Sequence, residues 1–176
     1  MAHTLDDLDV MYDEETLARR VAELGTQVRG WFGPDEVITV VGVLKGSFLF
    51  MADLVRAIEG PVHCEFLGVA SYEGTRSTGA VQLTHDLRTD IAGKHVVVVE
   101  DIVDTGLTLQ YLLRNLEARG PKSLRVVALL DKAERREVEV PVDLVGFEIP
   151  DAFVVGYGLD LDQLFRNLPF IGVFPS

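Results

Sequence analysis

The chain of 176 residues carries 16 Lys+Arg against 28 Asp+Glu, a formal net charge of −12, and is 48% hydrophobic. This length suits one ordinary domain with a core that needs neither disulfides nor structural metal. The acidity argues against a nucleic-acid partner, and apolar runs such as Val96 to Val99 fall far short of the roughly 20 residues that span a membrane. In chain order, Leu17, Val21, Leu24 and Val28 share one helical stripe, with Asp13 or Thr16 placed to cap it. Gly33-Pro34-Asp35 breaks that pattern, and Val37 to Val43 is a β-branched run of the kind buried on both sheet faces. After the turn Leu44 to Ser47, helical spacing returns through Phe48, Leu49, Ala52, Val55 and Ile58. His63 to Ala70 reads as a further strand, followed by a polar, Gly-containing stretch from Ser71 to Gly79 that is a candidate mobile loop. Val96 to Val99 is another strand, and Leu109, Leu112, Leu113 and Leu116 mark a helix that Gly120-Pro121 stops. Leu124 to Leu130 repeats the buried-strand pattern, and the alternation of strands with helices predicts an α/β fold with a mainly parallel sheet flanked by helices. Beyond Asp131 the order changes. Asp143 to Ile149, Phe153 to Gly156 and Phe170 to Phe174 read as short strands of a small appended lobe.

The single Cys64 can form no internal disulfide and no Cys/His cluster has zinc spacing, so a cytoplasmic location is expected. The opening MAHTLDDLDV is acidic and has no leader pattern. Chemistry concentrates at Glu100 to Thr108. In open α/β sheets ligands gather at the carboxyl ends of strands, where this segment lies. Glu100 and Asp101 close an all-valine strand and could meet hydroxyls or a metal, while DTGLT opens a helix whose free amides and positive dipole end favour an anion. A sugar phosphate would satisfy both. The bland alternative is a solvated strand end with Asp104 or Thr105 capping the helix, as in any doubly wound nucleotide-binding or signalling domain. GVLKGS fails the spacing of a nucleotide-binding P-loop, and GYGLDL lacks the third glycine of a dinucleotide fingerprint.

VVVVEDIVDTGLTL resembles the phosphoribosyl pyrophosphate signature of type I phosphoribosyltransferases, in the version of the hypoxanthine-guanine enzymes. Four further segments follow in family order: VVGVLKGSFLFMADLVRAI is similar to the pyrophosphate loop, SYEGTRSTG to the flexible catalytic loop, LLDKAERR to the base-contacting lysine region, and VGFEIPDAFVVGYGLD with LFRNLP to the C-terminal hood. Two positions depart from many relatives. Leu107 stands where some have lysine, and Ser47 where glycine or alanine is frequent. The chain lacks the longer N-terminal region of animal enzymes and in this resembles a bacterial-type member.

The resemblance implies the type I phosphoribosyltransferase fold as a single domain of residues 1–176, with a core of about 10–145 and a hood formed largely by 146–176. It also implies a purine-salvage enzyme transferring the phosphoribosyl group from phosphoribosyl pyrophosphate to hypoxanthine or guanine. In this reading Glu100 and Asp101 hold the ribose hydroxyls directly or through magnesium, with Asp160 as a further metal-side carboxylate. Asp104 is the proton acceptor near N7 of the purine. The loop of Asp104, Thr105, Gly106, Leu107 and Thr108 cradles the 5′-phosphate, and Lys45, Gly46 and Arg166 meet pyrophosphate. Lys132 donates to O6 of the base, Phe153 stacks on it, the Val154 backbone reads its edge, and Ser71 and Tyr72 close over the site. A cis peptide at Leu44-Lys45 and a homo-oligomer, dimer or tetramer, are further implications. The alternative from a different class is a phosphoribosyltransferase-fold RNA-binding regulator of pyrimidine genes, which would need a basic face that a net charge of −12 does not favour.

Overall fold

The computed structural model describes residues 8–71 and 81–174. Strands β2 (Ile38–Leu44), β3 (Val62–Ser71), β4 (Val81–His85), β5 (His95–Val103), β6 (Ser123–Asp131) and β7 (Leu144–Glu148) form one sheet in the order β4-β3-β2-β5-β6-β7. All its pairings are parallel except β3 with β4. The alternation of the strands assigns each face its helices. Val40, Val97, Val99 and Val127 pack under α1 (Glu14–Arg29) and α2 (Phe48–Ala57), whereas Val41, Val96, Val98 and Val126 pack under α3 (Leu107–Glu117). Both faces are therefore covered, which is why these strands read as unbroken apolar runs.

Asp13 caps α1, its Oδ1 accepting from the Thr16 amide at 2.8 Å. The predicted stripe Leu17, Val21, Leu24 and Val28 is fully buried. Helices α1 and α2 cross closely at Gly25, where a Cβ would fall 2.6 Å from the Ala57 Cβ and carbonyl. A second sheet of three antiparallel strands joins β1 (Asp9–Tyr12), β9 (Ile171–Val173) and β8 (Val154–Val155) in the order β1-β9-β8.

Two features correct the reading of the lobe. Residues 144–148 belong to the main sheet, pairing parallel with β6 from Val127↔Leu144 to Asp131↔Glu148; only their intermediate burial at a sheet edge makes the run look like part of a separate lobe. The lobe's own sheet is not purely C-terminal, because β1 supplies one of its three strands. Strand β4 is the remaining addition, a short edge strand that packs Leu83 against the core on the α3 side.

Candidate active site

The order of the main sheet reverses between β2 and β5: β2 leads through α2 outward to β3, while β5 leads through α3 the other way to β6. Loops leaving such a switch point diverge and leave a crevice at the strand ends. The crevice here has a volume of about 320 Å³ and is lined by both loops, Lys45–Gly46 after β2 and Asp104–Thr108 after β5, with Asp160 and Arg166 entering from the lobe.

The first loop carries a cis peptide at Leu44-Lys45, as the resemblance implies. Its Gly46 is clamped on two sides. A Cβ there would meet Asp101 Oδ2 at 1.5 Å, and a Cβ on Gly158 would meet the Gly46 carbonyl at 2.1 Å. Residue 46 thus presents bare backbone to the cleft, a surface to which anions can approach closely.

The second loop starts where β5 runs out. Glu100 is buried, and burial first, then the neighbouring Asp101 charge, raises its carboxyl well above the usual range. Burial likewise pushes Asp101 up to about 6, against the lowering effects of the Ile102 amide and of Arg166. Two carboxyls that resist ionisation at the mouth of a cleft are arranged to receive hydroxyls or positive charge. Helix α3 then begins at Gly106, whose φ of +86° places it in the left-handed region, with no side-chain cap. The bland capping role for Asp104 therefore fails; Thr105 makes only a long contact, its Oγ1 accepting from the Leu107 amide at 3.4 Å. The amides of the first turn of α3 lack intrahelical acceptors and point into an electropositive helix end.

From the lobe, Arg166 donates to the Gly158 carbonyl at 2.7 Å and pairs with Asp160 at 2.8 Å. Lys132, at the end of β6, is buried, while Phe153 is 54% exposed and Val154 buried beside it in β8. Asp104 accepts from Arg135 Nε at 2.8 Å. Lys45, Gly46, Glu100, Asp101, Asp104, Thr105, Gly106, Thr108, Asp160 and Arg166 thus share one cleft, with Lys132 directly after β6, the strand next to β5. Ser71 ends β3, and Tyr72 lies outside the described residues. One grouping is not formed. Among the described residues no three His, Cys, Asp or Glu side chains converge as metal ligands, so Glu100, Asp101 and Asp160 do not make a preformed carboxylate cage; Arg166 and the Gln163 amide hold Asp160 instead.

Residues 8–162 match the family described as "Phosphoribosyl transferase domain". The hypoxanthine phosphoribosyltransferase of Haemophilus influenzae is 51% identical over 168 residues, 94% of each chain. The chain belongs to the hypoxanthine phosphoribosyltransferase family. The fold agrees. A hypoxanthine-guanine phosphoribosyltransferase from Bacillus anthracis superposes with a TM-score of 0.89 at 47% identity, covering 94% of this chain and 97% of that one. The hypoxanthine phosphoribosyltransferase of Trypanosoma cruzi, in complex with the product IMP, gives 0.90 at 40% identity, covering 99% and 98%.

In this phosphoribosyltransferase three residues that touch predicted site residues carry no signal in the sequence. Gln163, at a φ of +65°, turns its Oε1 to accept from both Lys45 Nζ at 3.3 Å and Arg166 Nη2 at 3.1 Å. A neutral oxygen thereby holds two cations side by side without cancelling either. Arg135 and Asp151 join Asp104 to Lys132, and no spacing rule connects residues so far apart.

Proposed function

We propose that the cleft transfers the 5-phosphoribosyl group of phosphoribosyl pyrophosphate to N9 of hypoxanthine or guanine, giving IMP or GMP and pyrophosphate, a step of purine salvage. The observation that carries this reading is the carboxylate pair Glu100 and Asp101 near the end of β5, facing the same cleft as the uncapped N-terminus of α3 at the switch point of the sheet. The amides of Thr105 to Thr108 take the 5′-phosphate, and Glu100 and Asp101 take the ribose hydroxyls. Lys45, the backbone of Gly46 and Arg166 take the pyrophosphate, whose charge this acidic chain must neutralise. In the transfer the bond from C1 of ribose to the pyrophosphate oxygen breaks, the bond from N9 to C1 forms, and the proton shed at N7 passes to Asp104. Lys132, a donor without acceptor capacity, selects a carbonyl at C6 over the amino group of adenine. Phe153 offers an exposed ring face for the base, the Val154 backbone reads its edge, and Ser71 and Tyr72 close over the reacting centre to exclude water.

The site also fits magnesium. The donors are hard carboxylate oxygens, burial holds Asp101 near 6, and a hard cation bound by one or two carboxylates together with substrate oxygens needs no three-carboxylate cage. Asp101 and Glu100 would hold it, with Asp160 facing the same cleft, and it would supply charge neutralisation for the leaving pyrophosphate. We further read residues 1–176 as a single domain whose hood, about 146–176, is completed by β1, acting in the cytoplasm as a homo-oligomer, a dimer or tetramer. The RNA-binding alternative gains no support from any relative named above and is opposed by the net charge of −12.

The test is nucleotide formation from phosphoribosyl pyrophosphate and magnesium with hypoxanthine, guanine, xanthine, adenine and uracil in parallel. Turnover of a 6-oxopurine, abolished by chelator, is expected. Turnover of uracil alone, or of no base, would overturn the reading.

A further inference from the structure

Four charged side chains form a continuous chain that starts from Asp104 in the wall of the cleft. Arg135 Nε donates to Asp104 Oδ1 at 2.8 Å, and the same guanidinium donates through Nη1 to Asp151 Oδ2 at 2.9 Å. The other oxygen of Asp151 lies 3.4 Å from Lys132 Nζ. Asp104 leaves β5, Lys132 and Arg135 follow β6, and Asp151 follows β7, so the chain ties three adjacent strand ends together.

We propose that Arg135 and Asp151 are positioning residues that fix the spacing of Asp104 and Lys132 along the edge of the purine that carries N7 and O6. The proposal rests on the roles given above to Asp104 and Lys132, and deepens them. N7 and O6 are neighbours on one edge of a 6-oxopurine. The acceptor for one and the donor for the other must therefore stand at one fixed separation. Arg135 meets that need with a rigid fork whose arms point to different carboxylates, which the single ammonium of a lysine cannot reproduce. It engages only Oδ1 of Asp104, leaving Oδ2 for the N7 proton, and Asp151 uses only one of the three donor positions of Lys132. The bond from Arg135 is also the main reason that the Asp151 carboxyl lies below its usual range.

The neighbouring Arg136 has a separate task. It donates to the Asp104 carbonyl at 2.6 Å and pairs with Asp131, while the Lys132 amide donates to the Val103 carbonyl at 2.9 Å. The backbone of both loops is thus secured without Arg135. The Arg135 pairs are 41–51% exposed at the side chain, where ion pairs add little to stability, so a contribution to the fold does not account for the arrangement.

The experiment compares the full chain with Arg135→Ala, Arg135→Lys, Asp151→Asn and the double variant, reading steady-state kinetics for hypoxanthine and for phosphoribosyl pyrophosphate together with Tm. Arg135→Ala is expected to lower kcat/KM for hypoxanthine about tenfold or more, as misplaced reacting groups do. KM for phosphoribosyl pyrophosphate should stay within about twofold, and Tm within about 2 °C. Arg135→Lys should restore little, Asp151→Asn should lose in the same sense, and the double variant should be no worse than Arg135→Ala, because the two residues act as one unit. Wild-type hypoxanthine kinetics in Arg135→Ala, additive losses in the double variant, or a loss shared with phosphoribosyl pyrophosphate would overturn the proposal while leaving the proposed reaction standing. A wild-type chain that converts no 6-oxopurine would instead overturn that reaction and this inference with it.

Discussion

Replacing Gly158 by alanine puts a methyl group where the lobe touches the loop after β2. The added Cβ would fall 2.1 Å from the Gly46 carbonyl oxygen, about 1.3 Å short of the 3.4 Å at which ordinary contact begins. Relief cannot come from swinging a flexible side chain, since the obstructing atom is backbone and Gly46 is pressed from the other side by Asp101. The residue also sits at a φ of +102°, where an L side chain is strained by roughly 1–3 kcal/mol. Overpacking at a rigid contact adds about 1–3 kcal/mol more, so the expected loss is about 2–6 kcal/mol. For a domain of this size that corresponds to a fall in Tm of roughly 5–20 °C. Whatever fold remains must open the gap between lobe and loop, which also moves the Gly158 carbonyl that receives Arg166 at 2.7 Å. Thermal unfolding followed by circular dichroism, paired with KM for phosphoribosyl pyrophosphate and for hypoxanthine, reads both effects. Tm should drop and the pyrophosphate substrate should suffer more than the base. An alanine variant within about 2 °C of wild type and with unchanged KM for phosphoribosyl pyrophosphate would show that the lobe does not brace the loop.

Asp101→Asn should stabilise the free protein above pH 6. Because burial raises the folded carboxyl to about 6, the wild type loses stability as pH rises from the ordinary carboxylate range through that value, and the amide does not; equal Tm values at pH 4 and a gap at pH 7.5 are expected, with weaker binding of phosphoribosyl pyrophosphate. Glu36 behaves in the opposite sense, held down to about 2 by the Gly33 amide first, then by Lys122 and His95. Its contribution is present above the ordinary carboxylate range and fades as pH falls toward 2, so in denaturant titrations Glu36→Gln should be less stable than wild type at pH 7 and converge with it near pH 2. Asp104→Asn should cut kcat by about 10²–10⁴ while the Kd of phosphoribosyl pyrophosphate barely moves; comparable losses in both would contradict a general base. Phe153→Ala, removing a ring already 54% exposed, should leave Tm almost unchanged and raise KM for hypoxanthine by roughly 5- to 100-fold, the worth of stacking one base; an unchanged KM would free Phe153 of that role.

The central strands β2, β5 and β6 were readable because parallel strands covered on both faces demand long β-branched runs, and ITVVGVL, the valines after His95 and SLRVVALLD supply them. The site segment at the end of β5 was readable for a related reason: acidic, hydroxyl and glycine residues that line one strand end and the helix start after it must be contiguous in the chain. What escaped notice depends on distant pairing. Strand β1 has four residues, too few for a period, and its partner β9 lies at the other end of the numbering. Residues 144–148 carry a pattern that suits either sheet, and only the pairing with β6 decides between them. Arg135 reaches across 31 residues to Asp104, and Gln163 acquires its reach from a left-handed backbone that no side-chain pattern announces.

The pairing of β1 with β9 bears on how the protein comes into being. During synthesis residues 9–12 leave the ribosome before residues 171–173, so β1 stays unpaired until β9 arrives. The main sheet, complete by residue 148, can assemble earlier, and with it the Asp104–Thr108 loop and the acidic pair. Phe153, Asp160 and Arg166 take their places only when the small sheet zips shut. A nascent chain therefore holds the crevice loops of the main sheet before the lobe side of the cleft, and the cleft is whole only once β9 has paired.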